Sequence, residues 1–532
     1  MADEVSTGNF VPHERTSRSL SLWMPRLKHA DLEYSRSRDI ATGRARELVV
    51  DSAYGKNAVR IHKDNVVGPS FRLALRPMFE LLEISIEQAD DWARLVEQQW
   101  EAYANAPTFD CDAQRVCTFP ALMQMAYQGL LTAGESFHLL KWKPGLGTGY
   151  NTCMLAIEPE RVSQPSSAPE TRLFRHGIEC DVDGAPIAYH IKRAHDTEHQ
   201  FTDDMLKWDR VTRFTPWGRY QVLHMIDRHR PDLRRGLSQF SAAIKQMKLI
   251  EEYDRAEVES AILQASFAAV IKTELPNFEA MALLGAVSGM DKLKSRTASD
   301  AMAYMEGVSP WHRELDIKLN GARAVNLLPG ETLEFPKPQN NGVNFEAFQD
   351  AAVRKIAAAV GTSAEQLSRD FRQMTFASAK LSLGDVWRHF VVNRELCIRQ
   401  VGLPFVSAWL EEAIDSQRLP LPNGKTGGIA DYMAVRAAIF AKSTFVSWGP
   451  PMVEPVKERE GQKLALGLGL TTLQTEAQND GLDWEEIAIQ RNRERKLQEK
   501  LDLPLPEELE KSAAPPGEED GPPGAPAKKK PA

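Results

Sequence analysis

Apolar residues recur at helical spacing in several long stretches of the chain. In residues 39–65, Leu48, Val49, Ala53, Ala58, Val59 and Ile61 predict one helix, closed by Gly68-Pro69. FRLALRP (71–77) alternates like a short strand. Residues 85–105 put Trp92, Leu95, Val96 and Trp100 on one helical face, and residues 118–132 predict a further helix. The runs GESFHLLKWKP, MLAIEPERV, GIECDVDGAPIAYHIK and QVLHMID read as strands, with Asp183 to Pro186 as a hairpin turn. This first part is mixed α+β.

A long helix is expected over residues 237–273, where Leu237, Phe240, Ile244, Met247, Ile250, Val258, Ile262, Ala265 and Ala269 keep helical periodicity. At ~1.5 Å per residue it would span roughly 50 Å. Residues 276–343 suggest short strands around the turns Asn320-Gly321 and Pro329-Gly330. An alanine-rich helix then ends at Gly361, and a short polar loop carrying Arg369 and Arg372 follows. A second helix runs from residue 375 past 410, with an interruption at Gly402 and Pro404. Residues 455–503 predict helices split at 467–472 and at 479–481. Residues 1–25 are polar, and the segment from Pro504 holds eight prolines and ends in KKKPA; both are expected to be disordered.

Composition narrows the functional classes. A length of 532 residues predicts two to four domains. With 42% hydrophobic and 26% charged residues the chain has globular composition, and a net charge of −8 argues against a basic nucleic-acid binder. The five cysteines are scattered, without CxxC or zinc-like spacing, and suit reduced thiols in cytoplasm. No apolar run reaches membrane-spanning length, so no membrane partner is expected.

Catalytic signatures are weak. GKT at residues 424–426 lacks the upstream glycine of a phosphate loop, because Leu419 stands there. GLGTGY at 145–150 lacks the third glycine of a dinucleotide fingerprint and lies between strands. His190, His195 and His199, with Asp196 and Glu198, make the most metal-like group, but the HExxH order fails. Neither catalytic residues, nor a metal site, nor a cofactor is therefore expected. Basic positions are more suggestive. Arg369 and Arg372 lie three apart in the loop, with Lys380 on the following helix and Asp370 offsetting part of the charge. Arg36, Arg38, Arg44 and Arg46 are interleaved with acidic residues and read as surface pairs.

Taken in order, these segments resemble the lambda-type family of tailed-bacteriophage portal proteins. The resemblance rests on RARELVVDSAYGKNAVRIHKDNVVGPSFRLALRP, IEPERV, GIECDVDGAPIAYHI and VLHMIDRHRPDLRRGLSQFSAAIKQMKLIEEYDRAEVESAILQASFAAVI. LLPGETLEF, FEAFQDAAVRKIAAAVGTSAEQLSRDFRQMTFASAKLSL and the Trp-Leu-Glu-Glu run at 409–412 complete it, over residues 35–500. The resemblance implies an α+β multidomain portal fold that assembles as a homo-oligomeric ring, usually a dodecamer, at the capsid vertex of a virion built in host cytoplasm. It implies passage of double-stranded DNA through the ring, with the terminase large subunit, the major capsid or scaffold protein and a head-completion or connector protein as partners, and no enzymatic activity. Mapped onto this chain, 1–25 is an N-terminal arm and 26–236 a wing. Residues 237–275 and 344–361 are stem helices, and 276–343 is a clip. Residues 362–375 form a tunnel loop, 376–450 return to the wing, 451–503 form a crown, and 504–532 is a tail. Arg369, Arg372 and Lys380 would face DNA phosphates in the channel. Another head–tail connector ring and, more remotely, a packaging-associated hydrolase are the alternatives.

Overall fold

The stretch read as one helix at 39–65 folds as two, Arg38–Asp51 and Ala53–Val66. Ser52 makes the break. Its backbone is extended (φ −89°, ψ 129°) and its hydroxyl accepts from the Gly55 N–H. Serine competes for local backbone in this way and favours helix starts over interiors. The computed structural model describes residues 26–35, 37–196, 201–266, 270–273, 331–334, 342–372 and 374–501. The chain divides into two units, residues 1–248 with 351–532, and residues 249–350.

In the first unit, helix Ile86–Ala104 starts on a Ser85/Gln88 capping box and buries Trp92, Val96, Trp100 and Tyr103. Helix Phe119–Ala133 and helix Leu403–Asp415 pack with it through aromatic side chains. Trp100 lies edge-on to Phe119 at 5.0 Å and to Trp409 at 5.2 Å, while Phe119 stacks on Phe405 at 5.7 Å. Edge-to-face and offset geometries are those that aromatic quadrupoles favour. The strand signal in FRLALRP yields Arg72–Ala74, antiparallel to Thr444–Val446. The interruption expected at Gly402 and Pro404 is a π-helical turn, Ile398–Gly402, that joins helix Phe376–Cys397 to Leu403–Asp415. A proline lacks the N–H that the ladder would need, and a helix start tolerates that loss.

Strand Glu135–Trp142 lies between Thr152–Ile157 and Val222–Ile226 in an antiparallel sheet. A second antiparallel sheet runs in sequence order through Phe174–Arg175, Ile178–Cys180, Pro186–Lys192 and Trp208–Thr212. The expected hairpin turn is present, and the Asp181 carboxylate accepts from the amides of Asp183 and Ala185. Phe137, Ile157 and Val222 of the first sheet, Ile178, Tyr189 and Ile191 of the second, and Val162 from the connecting segment share one core.

A buried ion pair sits at the start of the central strand. Glu135 and Arg235 are both buried, with Oε1 accepting from Nε at 2.7 Å. Arg235 also donates to the carbonyls of Val162, His176 and Pro159. Glu135 Oε2 accepts from His224 Nε2 and from the Gly236 amide. Burial pushes the Glu135 carboxyl up, but the Arg235 charge and the His224 hydrogen bond more than offset it and hold it at about 2. Gly134 ends the preceding helix at φ +79°, and a Cβ there would lie 2.2 Å from the Leu237 backbone. Only glycine allows residues 236–237 this close.

The second unit holds most of helix Ile244–Ser266, the antiparallel pair Val270–Thr273 with Glu331–Glu334, and the start of helix Gly342–Val360. Tyr253 stacks on Phe345 at 5.5 Å and meets Phe348 at 4.7 Å. The helix expected over 237–273 is therefore corrected. A 3₁₀ turn, Gln239–Ala242, precedes it, and its 23 residues end at Ser266. That length is roughly 35 Å. β-Branched Val270, Ile271 and Thr273 suit a strand, and residues 331–334 supply the backbone partners that decide the matter. Residues 1–25, 504–532, both expected turns at 320–321 and 329–330, and nearly all of 276–343 lie outside the described residues.

Helices Pro455–Gly467, Leu473–Asn479 and Trp484–Leu501, split where the sequence predicts, bury no residue. Ion pairs hold them: Arg72 with Glu486, Arg94 with Glu485 at 2.8 Å, and Arg459 with Asp480. Each such exposed pair contributes at most about 1 kcal/mol and weakens with salt. Hydrogen exchange in residues 484–501 is thus expected to speed up between 50 mM and 500 mM NaCl (about a threefold drop in Debye length), while strand Glu135–Trp142 is unchanged. In contrast, Arg235→Met leaves Glu135 buried without its partner. Chemical denaturation is expected to show a loss of about 3–5 kcal/mol, smaller when Glu135→Gln is combined with it.

Candidate functional site

Helix Gly342–Val360 presents Ala352, Val353, Ile356, Ala357 and Val360 to the core of the first unit, at helical spacing. Gly361 stops it at φ +76°, where a Cβ would meet His389 Nε2 at 2.7 Å. The Thr362 amide bonds back to the Ala357 carbonyl. Ser363 then caps a short helix, Ala364–Ser368, by accepting from the Gln366 amide, and Leu367 is buried. Helix Phe376–Cys397 begins on a capping box of Thr375 with Ser378. The loop read from the sequence as one polar stretch is therefore a helical turn between two caps.

Two residues of helix Ala53–Val66 fasten the loop. Asn57 Nδ2 donates to the carbonyls of Gln366 (2.9 Å) and Leu367 (2.8 Å), closing the C-terminal end of the short helix. His62 is fully buried, with Nε2 2.9 Å from the Val360 carbonyl and Nδ1 2.8 Å from the Tyr127 hydroxyl. A carbonyl only accepts, so Nε2 carries the proton and Nδ1 accepts from Tyr127. Residue types and spacing in the sequence gave no sign of either anchor, because each lies about three hundred positions from its partner.

The three basic positions fall on this segment and differ in their partners. Arg372 is 79% exposed and grips Asp370 through Nε (2.9 Å) and Nη2 (2.6 Å). That guanidinium holds the Asp370 carboxyl at about 2. Arg369 is exposed, has a left-handed backbone (φ 59°), and donates from Nε and Nη2 to Asn57 Oδ1. Lys380 reaches Glu458 of helix Pro455–Gly467 at 3.4 Å.

The other sequence candidates dissolve into structure. The amides of Leu146, Gly147 and Thr148, in the glycine loop, all point at the buried Asp110 carboxylate, as does the Thr148 hydroxyl. Burial pushes that carboxyl up, but these donors lower it far below the usual range. The nest that could cradle a phosphate is thus occupied by the chain's own anion. GKT lies in a turn closed by Gly424 N–H to Leu421 O. His190 bonds Glu179, His195 meets Glu158 and Glu160, and His199 lies outside the described residues, so the histidines are not gathered. Glu158, Glu160 and His195 do bring ligand atoms within 4.8 Å of one another, but Arg46 already forks both its terminal nitrogens onto Glu160. This pairing joins distant segments, unlike the neighbouring surface pair expected for Arg46. In the Trp-Leu-Glu-Glu run, Trp409 is core, Glu411 accepts from Trp217 Nε1, and Glu412 accepts from the Asn151 and Thr152 amides.

Burial is the main force pushing the His62 imidazole down from 6.5 to about 4, with a smaller contribution from nearby His389. Between those values the unfolded chain binds the proton and the folded chain does not. Stability is full above pH 6.5, falls with acidification, and levels off below pH 4. His62→Asn is expected to lose about 2 kcal/mol less stability between pH 7 and 5 than the parent chain, read by denaturant titration at each pH.

Several known proteins are similar over most of this length. The portal protein of Escherichia phage N15 is 28% identical over 473 residues, covering 89% of this chain and 87% of that protein. Portal protein B of Escherichia phage lambda is 26% identical over 476 residues, with the same coverage of 89% and 87%. Among solved structures, a chain in the neck of an empty gene transfer agent particle is 12% identical with a TM-score of 0.41, covering 84% of this chain and 94% of that one. The model of the family described as phage portal protein, lambda family, matches residues 16–394, well over half of the chain, and the chain belongs to that family.

Proposed function

We propose that this portal protein is the subunit of a ring, with twelve copies as the expected number, at the capsid vertex of a tailed double-stranded DNA phage or prophage. The terminase large subunit drives the genome inward through the ring, and the genome later leaves by the same route into the tail. The major capsid or scaffold protein and a head-completion or connector protein are the neighbours. Residues 362–375 line the channel, and Arg369, Arg372 and Lys380 touch phosphates without reading bases. The subunit conducts DNA and catalyses nothing.

Family membership across residues 16–394 carries this reading. The electrostatics support it. A conduit must admit DNA without holding it, and every neutralised phosphate adds affinity. Twelve copies of a chain with net charge −8 give −96. Two of the three loop-proximal cations are further offset by Asp370 and Glu458. Sparse, partly neutralised cations in an acidic ring favour sliding over retention. Exposed apolar residues on the helix after the loop, Leu381 and Val392 among them, suit packing against a neighbouring copy.

Electron-microscope class averages of the purified chain are expected to show twelve-fold rings with a bore about 20–25 Å across, wide enough for a duplex. Particles without a central opening would overturn the reading. A ring map in which Arg369 and Arg372 lie far from the axis would remove them from the channel.

A further inference from the structure

The three cations near the loop are not equivalent. Arg372 is matched by Asp370 through two nitrogens and Lys380 by Glu458, so each brings its own countercharge. Arg369 meets an amide oxygen, Asn57 Oδ1, at 3.3 Å from Nε and 3.2 Å from Nη2, and makes no ion pair among the described residues. A neutral acceptor orients a guanidinium without cancelling its charge. The amide cannot turn over, because Asn57 Nδ2 is committed to the Gln366 and Leu367 carbonyls, leaving only the oxygen to face Arg369. Arg369 is held in the left-handed region at φ 59°, ψ 21°, a conformation unfavourable for a non-glycine residue. Such a conformation persists where the surroundings over-determine it. Here those surroundings are the Asn57 bonds on both sides of residue 368.

We propose that Arg369 supplies the loop's effective contact with DNA phosphate, and that Asn57 is the positioning residue that aims its guanidinium while leaving the charge intact. The inference rests on the proposed function and ranks residues within it. Asn57 acts from helix Ala53–Val66, outside the loop, so the loop's aim is set by the body of the first unit. Replacing the amide with a carboxylate would neutralise Arg369 and, like alanine, give up the donor to the Gln366 and Leu367 carbonyls, so the two variants differ in the charge they bring. Replacing it with alanine would remove the orientation and leave the charge.

The test is the salt dependence of binding of a 30-base-pair duplex to the assembled full-length protein. Each phosphate contact contributes a slope of about −0.9 in log K against log salt. Arg369→Gln is expected to flatten the slope by about one such contact per engaged subunit, and Arg372→Gln by less than half as much. Asn57→Asp is expected to flatten it as Arg369→Gln does, whereas Asn57→Ala keeps the slope and weakens binding only about threefold. A merely structural role for Asn57 would make the alanine and aspartate variants alike, and that result overturns the inference. So does a larger effect at Arg372 than at Arg369, a comparison that uses only exposed loop positions and survives if an Asn57 variant fails to fold. Salt-independent binding by the parent ring would instead overturn the conduit reading on which the inference rests.

Discussion

The Glu135–Arg235 pair is the constraint on which the first unit depends. A charge placed where no water reaches must be matched on every side, and this one is. Arg235 spends its donors on Glu135 and on three carbonyls contributed by residues 159, 162 and 176, while Glu135 takes His224 and the Gly236 amide. Those partners belong to the central strand, its neighbour, the segment leading to the second sheet, and the chain leading into helix Ile244–Ser266. A single guanidinium thereby fixes the mutual placement of four segments that hydrophobic packing alone would leave free to slide. Desolvation offsets much of the attraction in such a pair, so its net contribution to stability is small beside the cost of removing one partner alone.

The same logic recurs at smaller scale. Asp110 organises the glycine loop, Glu412 receives the start of strand Thr152–Ile157, and Glu411 holds Trp217. Carboxylates that might have been read as catalytic are instead acceptors for backbone amides and indole N–H groups, each satisfied in place. In each case a buried or half-buried carboxylate fixes local geometry through the donors it gathers.

The loop joins these two themes. Its helical turn is short, its ends are capped by its own serine and threonine, and its register against the body is set by Asn57 and His62. Neutral hydrogen bonds thus hold the turn in place without adding charge to it.

Much of this protein was legible in the chain itself. The helix starts near residues 85 and 375, the hairpin turn at 183–186 and the helix face carrying Trp92 and Trp100 are local features, so residue type and spacing reveal them, and the ordered run of motifs revealed the family. The reading failed once on a local cap that periodicity overlooks and once on a remote strand partner. Ser52 divides a helix that periodicity joins, and residues 331–334 capture as strand what reads as the end of a helix. Apolar β-branched residues satisfy either pattern until a partner strand supplies its hydrogen bonds. At the loop the sequence determined which cations exist. It also set Asp370 beside Arg372, whereas tertiary structure decided that Lys380 meets Glu458 and that Arg369 is held by an amide, because Glu458 and Asn57 come within reach only once the chain has folded.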